Sequence, residues 1–306
     1  MIRTENLTKK YGKDRGVFDL NLEVPKSTIY GYVGPNGAGK TTTIQILCGL
    51  VKPTSGKAFV NGIEVIPKNI NKIKSKIGYL PDFFGVYDQM SVWEYLDFFG
   101  AAYKLSPKLR KVRIEEVLEI TGASYMLDYK VASLSRGMRQ KIGISKTMLH
   151  DPDILILDEP AGGLDPYARI EMRKTIQTLK GLGKTILLSS HILPELASIC
   201  DIIGIIEKGK LLIQGNLQEI TRTLREHIVL EIRLTSNLEN AKKLCEDYEN
   251  IDKVDASTDM LRVIYTGKRS NLSHFTRYLI ENAVDINTIS EQQADLEKVF
   301  LDVTKK

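Results

Sequence analysis

Thr28-Ile29-Tyr30-Gly31-Tyr32-Val33 runs directly into Gly34-Pro35-Asn36-Gly37-Ala38-Gly39-Lys40-Thr41, and this junction decides the fold. The first six residues form a short apolar, aromatic run of the kind that makes a buried strand. The next eight fit the spacing G-x-x-x-x-G-K-[ST]. A helical stretch from Gly39 to about Leu50 is expected next, stopped by Lys52-Pro53-Thr54-Ser55-Gly56. Strand, glycine-rich loop and helix in this order make a phosphate cradle. The glycines let successive backbone N–H groups turn inward onto phosphate oxygens, and the helix N-terminus adds its dipole. Lys40 brings a point charge to the β- and γ-phosphates, and the Thr41 hydroxyl is a ligand for Mg²⁺.

Downstream, Ile154-Leu155-Ile156-Leu157 ends in Asp158-Glu159-Pro160, and Thr185-Ile186-Leu187-Leu188 is a second short apolar run. Both fit strands buried on two faces of a parallel sheet, with helical patterns at about 135–150 and 166–181 between them. An α/β domain follows, with its ligand at the C-terminal ends of the strands. Asp158 then stands at the sheet edge facing the phosphate loop, placed to hold Mg²⁺, and Glu159 is placed to take a proton from an attacking water.

The 306 residues are 42% hydrophobic and 26% charged, enough chain for two domains with real cores. No run approaches the roughly 18 apolar residues of a membrane-spanning helix, and the start, Met1-Ile2-Arg3-Thr4-Glu5-Asn6, does not read as a secretory signal. Three dispersed cysteines, Cys48, Cys200 and Cys245, give neither a disulfide framework nor a zinc site. A cytoplasmic location is expected. The net charge of +5 is uneven: residues 221–306 hold 13 Lys/Arg against 15 Asp/Glu, leaving 30 against 23 before them. That modest excess suits a nucleotide and is too dispersed to argue for nucleic acid.

Residues 91–121 read as two helices joined near Ser106-Pro107. Nine of the 22 aromatic residues fall between Tyr79 and Tyr103. Two readings stand for these rings: the local core of a helical subdomain at about 83–150, or a groove that receives a partner helix. After Gly215 the pattern changes. His227–Leu234 alternates like a strand, Leu238–Cys245 is helical, and Ile251–Ala256 and Leu261–Tyr265 are strands about a Ser257-Thr258-Asp259 turn. Leu272–Ile280 is helical, Val284–Ile289 a strand and Leu296–Val303 a last helix. The order is βαββαβα, a small α+β ferredoxin-like domain over 221–306 with no chemistry of its own and a regulatory or dimer-forming role.

Between phosphate loop and carboxylates lies Leu134-Ser135-Arg136-Gly137-Met138-Arg139-Gln140. It resembles the signature motif of ATP-binding cassette (ABC) ATPases. Ala161-Gly162-Gly163-Leu164-Asp165 looks like that family's D-loop, Ser189-Ser190-His191 like its switch histidine, and Tyr11-Gly12 like the aromatic that stacks on adenine. The resemblance covers residues 1–220, with every motif in order. It implies an ABC-type P-loop ATPase domain with a helical subdomain, binding ATP and Mg²⁺. ATP would lie on Tyr11, Gly34, Pro35, Asn36, Gly37, Ala38, Gly39, Lys40, Thr41 and Thr42. Glu159, His191 and Lys40 would be catalytic, and Thr41, Asp158 and Asp82 would hold the metal. A second cassette, identical or related, would pair head to tail, so that Ser135, Gly137 and Asp165 reach ATP across the dimer. His150, His227 and His274 have no comparable context.

Two departures stand out. Arg136 and Met138 replace residues of the common Leu-Ser-Gly-Gly-Gln signature, while Ser135 and Gly137 are kept. In the Q-loop frame Ile77-Gly78-Tyr79-Leu80-Pro81, Asp82 stands where glutamine is expected. The resemblance further implies the ATPase subunit of a transporter, an exporter rather than an importer by its signature and C-terminal extension, with separate transmembrane permease subunits, peripheral on the inner face of the cell membrane. A soluble ABC ATPase acting on nucleic acid or ribosomes is the alternative. It is disfavoured: Lys40 and Ser135 lie only 95 residues apart with no long coiled coil, one cassette is present, and zinc cysteines are absent.

Overall fold

The computed structural model describes every residue except 13–14, 86, 88, 217–218, 221–227, 236, 268 and 292–306. The chain divides into two compact units, Met1–Asn216 and Leu217–Lys306.

The first unit opens with an antiparallel sheet. Its strands are β1 (Ile2–Lys10), β2 (Gly16–Leu20), β3 (Glu23–Val24), β5 (Ser55–Val60) and β6 (Ile63–Glu64), with β4 (Ile29–Val33) leaving for a second sheet. That second sheet adds β7 (Ile77–Leu80), β8 (Ile154–Asp158), β9 (Thr185–Ser190), β10 (Ile202–Glu207) and β11 (Lys210–Gly215), in the order β11-β10-β4-β9-β8-β7. All its neighbours are parallel except β10 and β11. Every residue of β4, β8 and β9 is buried, as expected for strands covered on both faces. The four aliphatics Ile154–Leu157 are each fully buried. Burial of such side chains is worth about 1.5–3 kcal/mol each.

The main core lies between the two sheets. It joins Ile2, Leu7 and Val60 of the antiparallel sheet to Tyr30, Ile156 and Leu187 of the parallel one, through Ile44 and Leu47 of helix α1 (Lys40–Leu47). The sequence predicts that helix as far as Leu50; it stops earlier because Gly49, at φ 69°, closes the turn with its N–H on the Ile46 carbonyl.

Helices α2 (Ile70–Lys74), α3 (Val92–Ala102), α4 (Pro107–Ile120), α5 (Arg136–Met148), α6 (Pro166–Gly181) and α7 (Leu193–Ala197) complete the unit. The starts of α3 to α6 are written into the sequence. Ser91, Ser106, Ser135 and Asp165 each accept a hydrogen bond from the backbone N–H three residues on. Glu94 closes a capping box with Ser91. The aromatic cluster is divided between core and surface. Tyr95 is fully buried and packs edge-on against Phe99 at 4.9 Å, whereas Phe83 is 89% exposed and Tyr87 and Phe98 about half exposed.

The second unit is a four-stranded antiparallel sheet of Ile228–Leu234, Ile251–Ser257, Met260–Tyr265 and Ile286–Glu291, with helices Leu238–Glu246 and Leu272–Glu281. Numbered in chain order, its strands lie 2-3-1-4, the ferredoxin-like arrangement that βαββαβ predicts. Ile232, Leu261, Val263 and Tyr265 meet Cys245, Phe275 and Leu279 of the helices in one core. The expected last helix at 296–303 lies outside the described residues. Among the described residues no helix is long and apolar enough to cross a membrane.

Candidate active site

Residues 34–41 span the turn from β4 into α1. Gly37 and Gly39 hold φ of 82° and 109°, the left-handed region that only glycine enters cheaply. Gly34 is required for a different reason: a Cβ there would lie 2.3 Å from the Ile206 carbonyl oxygen. The Ala38 N–H donates to the Pro35 carbonyl at 3.1 Å, and the Ala38 carbonyl accepts from Gly209 N–H at 2.9 Å. Gly34, Pro35 and Ala38 thus frame the loop. Asn36, Gly37, Gly39, Lys40, Thr41 and Thr42 face a cavity of about 470 Å³. Tyr11, half exposed, lines the same cavity, as do Asp82 and Glu159.

Lys40 is 6% exposed. Its Nζ donates to the carbonyls of Gly34 at 2.7 Å and Pro35 at 3.3 Å, and lies 3.4 Å from Glu159 Oε1. A buried ammonium needs this compensation, since an unpaired one is costly at low dielectric.

Asp158, at the end of β8, is 1% exposed and paired in register with Ser189 of β9. The Ser189 hydroxyl donates to Asp158 Oδ1 and accepts from the Glu159 N–H at 3.0 Å. Burial raises the Asp158 carboxyl above its ordinary range, opposed by hydrogen bonds from Ser189 and Thr41 and reinforced by the charges of Glu159 and Asp82. Glu159 itself sits at φ 51°, a conformation costing on the order of 1 kcal/mol or more for a residue with a side chain. The bond to Ser189 holds it there. On its far side, Glu159 Oε2 lies 3.0 Å from His191 Nδ1. One carboxylate is therefore held between Lys40 and His191.

The residues expected across a dimer stand apart. Ser135, Gly137 and Asp165 do not line the cavity that holds Lys40. The Ser135 hydroxyl accepts from Met138 N–H at 3.3 Å, and Asp165 Oδ1 from Ala168 N–H at 2.9 Å. Ser135 and Asp165 therefore each cap the N-terminus of a helix, α5 and α6. Arg136 folds its guanidinium onto the D-loop, where a Cβ on Gly163 would meet it at 2.8 Å.

Some lining residues escape sequence reading. Arg15, Gly16 and Gln45 border the cavity; Arg15 is tied to Tyr11, whose N–H donates to the Arg15 carbonyl at 2.9 Å. Ser189 enters the sequence reading only as the start of Ser189-Ser190-His191, and its register opposite Asp158 is what reveals its own role.

The donor set fits Mg²⁺. The Thr41 hydroxyl meets the buried Asp158 carboxylate, and Asp82 lines the same cavity. These are hard oxygen donors. Among the described residues no cluster of three or more His, Cys, Asp or Glu could hold a metal.

Comparison with known proteins agrees with this geometry. The family model described as ABC transporter matches residues 17–162. The bacitracin transport ATP-binding protein BcrA of Bacillus licheniformis is 37% identical over 304 residues, covering 98% of this chain and 96% of that protein. The linearmycin resistance ATP-binding protein LnrL of Bacillus subtilis is 31% identical over 306 residues, covering 99% and 98%. The structure of cbiO1 from Clostridium perfringens, part of the ABC transporter complex cbiONQ, superposes with a TM-score of 0.66 at 26% identity, covering 74% of this chain and 93% of that one. Phosphate loop, paired carboxylates and similarity along nearly the whole chain converge: the protein belongs to the ABC transporter family, as an ATP-binding subunit with ATPase activity.

Proposed function

We propose that two such cassettes work as a pair and power the export of an antibiotic-peptide or drug-like compound through separate transmembrane permease subunits, from the inner face of the cell membrane. The observation that carries this reading is the reach of the similarity. The bacitracin transport relative matches 98% of the chain, and therefore both units, not the ATPase unit alone.

In this reading Tyr11 stacks on adenine, and the phosphates lie against the N–H groups and side chains at 36–42. Lys40 exchanges Glu159 Oε1 for phosphate oxygens, which frees the carboxylate to accept a proton from the attacking water. His191, 3.0 Å from Glu159 Oε2, is the residue that would sense the γ-phosphate. Thr41, Asp158 and Asp82 would hold Mg²⁺, which would supply neutralisation of phosphate charge. Ser135, Gly137 and Asp165 of the second chain close over the nucleotide, their helix N-termini presenting donors and positive potential to it. Exposed Phe83 and Phe98 are the anchors for a cytoplasmic helix of the permease.

The test is capture of the partner. Tagged Glu159→Gln chain, loaded with ATP and Mg²⁺, is used to retrieve proteins from detergent-solubilised membranes of its own source. Recovery of a multi-spanning polypeptide, lost with Phe83→Ser and Phe98→Ser, is expected. Recovery of soluble partners alone by an ATP-loaded bait contradicts the reading.

A further inference from the structure

Arg169, one turn into α6, makes contacts in two directions. Its Nε donates to the Leu164 carbonyl of the D-loop at 3.0 Å, and its Nη1 lies 3.0 Å from Glu195 Oε1. Glu195 stands in α7, immediately after the segment that carries His191. Its other oxygen, Oε2, accepts from Ser190 Oγ at 3.5 Å, and that hydroxyl in turn accepts from Ile192 N–H at 3.0 Å. Residues 190–192 are thereby tied on both sides of the switch histidine. Ser190 also fixes the phosphate loop, its carbonyl accepting from Gly34 N–H at 3.3 Å.

The joint differs from an ordinary surface ion pair. Glu195 is only 14% exposed in its side chain, so its charge is far less screened than that of an exposed pair. Its Oε1 has charge compensation from Arg169 without an aligned hydrogen bond. The pair also borders a cavity of about 20 Å³ shared with Ala161 of the D-loop, Ser189 and Ser190. Such an arrangement has room to re-form, in contrast to close-packed core, which transmits movement rigidly or not at all.

We propose that Arg169 and Glu195 are positioning residues that couple the D-loop to the switch segment within one chain, so that displacement of the D-loop by a second cassette re-aims His191 and Glu159. The inference rests on the paired-cassette reading above. Neither residue touches nucleotide in it; both act through the segments they hold. Arg169 is suited to this because its planar fork directs two separate nitrogens, Nε and Nη1, at two acceptors set apart, whereas a lysine has a single nitrogen.

A double-mutant cycle on the full chain tests it. Arg169→Met and Glu195→Gln keep side-chain volume and remove charge. Each is expected to lower kcat about tenfold or more, the scale of a typical coupling between sites, with KM for ATP changed less than about twofold. The double variant is expected to lose no more than the worse single variant. Arg169→Lys is expected to fall between wild type and Arg169→Met. ATP-induced pairing in a Glu159→Gln background, read by sedimentation, is expected to persist in all of them, which also reports that the variants fold. Unchanged kcat, a loss confined to KM, or single losses that multiply in the double variant would overturn the coupling. Wild-type chain that never pairs in saturating ATP would overturn the paired-cassette reading, and this inference with it.

Discussion

Glu159 lies between Lys40 and His191, with Oε1 3.4 Å from the lysine Nζ and Oε2 3.0 Å from the histidine Nδ1. The carboxylate thus reports on two groups that both meet a γ-phosphate in the proposed reaction. Its own backbone is held at φ 51° by the bond from its N–H to Ser189. Glu159→Gln keeps the shape and removes the base. Turnover is expected to fall by about 10²–10⁴-fold, the usual worth of a positioned general base, while ATP affinity by equilibrium titration changes little.

Lys40→Ala removes the ammonium that reaches the carbonyls of Gly34 and Pro35 and the Glu159 carboxylate together. ATP affinity is expected to fall at least about tenfold, equivalent to roughly 1.4 kcal/mol, and hydrolysis to be lost. Undiminished turnover refutes the site.

Ser189→Ala strips one buried bond from Asp158 and one from the Glu159 N–H. Leaving these groups unsatisfied is expected to cost about 1–3 kcal/mol in denaturant unfolding. A fall in kcat and a raised Mg²⁺ requirement are expected with it, since the serine orients both carboxylate residues. Ser189→Thr, which keeps the hydroxyl, is expected to recover part of both.

His150 gives a pH dependence. Burial lowers its pKa below the ordinary value of 6.5, opposed by its bond to the Ile77 carbonyl and by Asp151, and aided by Arg113 and Lys184. The folded state therefore disfavours the imidazolium. Its stabilising contribution is complete above pH 6.5 and is lost as pH falls through the lowered folded value. Unfolding followed between about pH 7.5 and 5.5 is expected to show a stability loss that is smaller in His150→Gln. An equal loss in both chains contradicts the assignment.

Much of this architecture is legible in the sequence because the deciding signals are local. The strand, loop and helix of residues 28–47 follow from one motif, and the starts of α3 to α6 from four capping residues. The ferredoxin-like order of the second sheet follows from the sequence of its elements. What was hidden depends on register and distance. Ser189 acquires its role only because β8 and β9 pair with Asp158 beside it, and Arg169 meets Glu195 across 26 residues of chain. The aromatics of α3 could not be sorted in advance, since Trp93, Tyr95, Phe98 and Phe99 run around the helix and only packing decides which face is inside.

The central claim is that ATP brings two of these chains together, with Ser135 and Gly137 of each closing over the nucleotide held by Lys40 of the other. Sedimentation of purified Glu159→Gln chain tests it most directly, with and without saturating ATP and Mg²⁺. The expected result is an ATP-dependent dimer that dissociates when Lys40→Ala is added to the same chain. A chain that binds ATP and remains a monomer contradicts the claim.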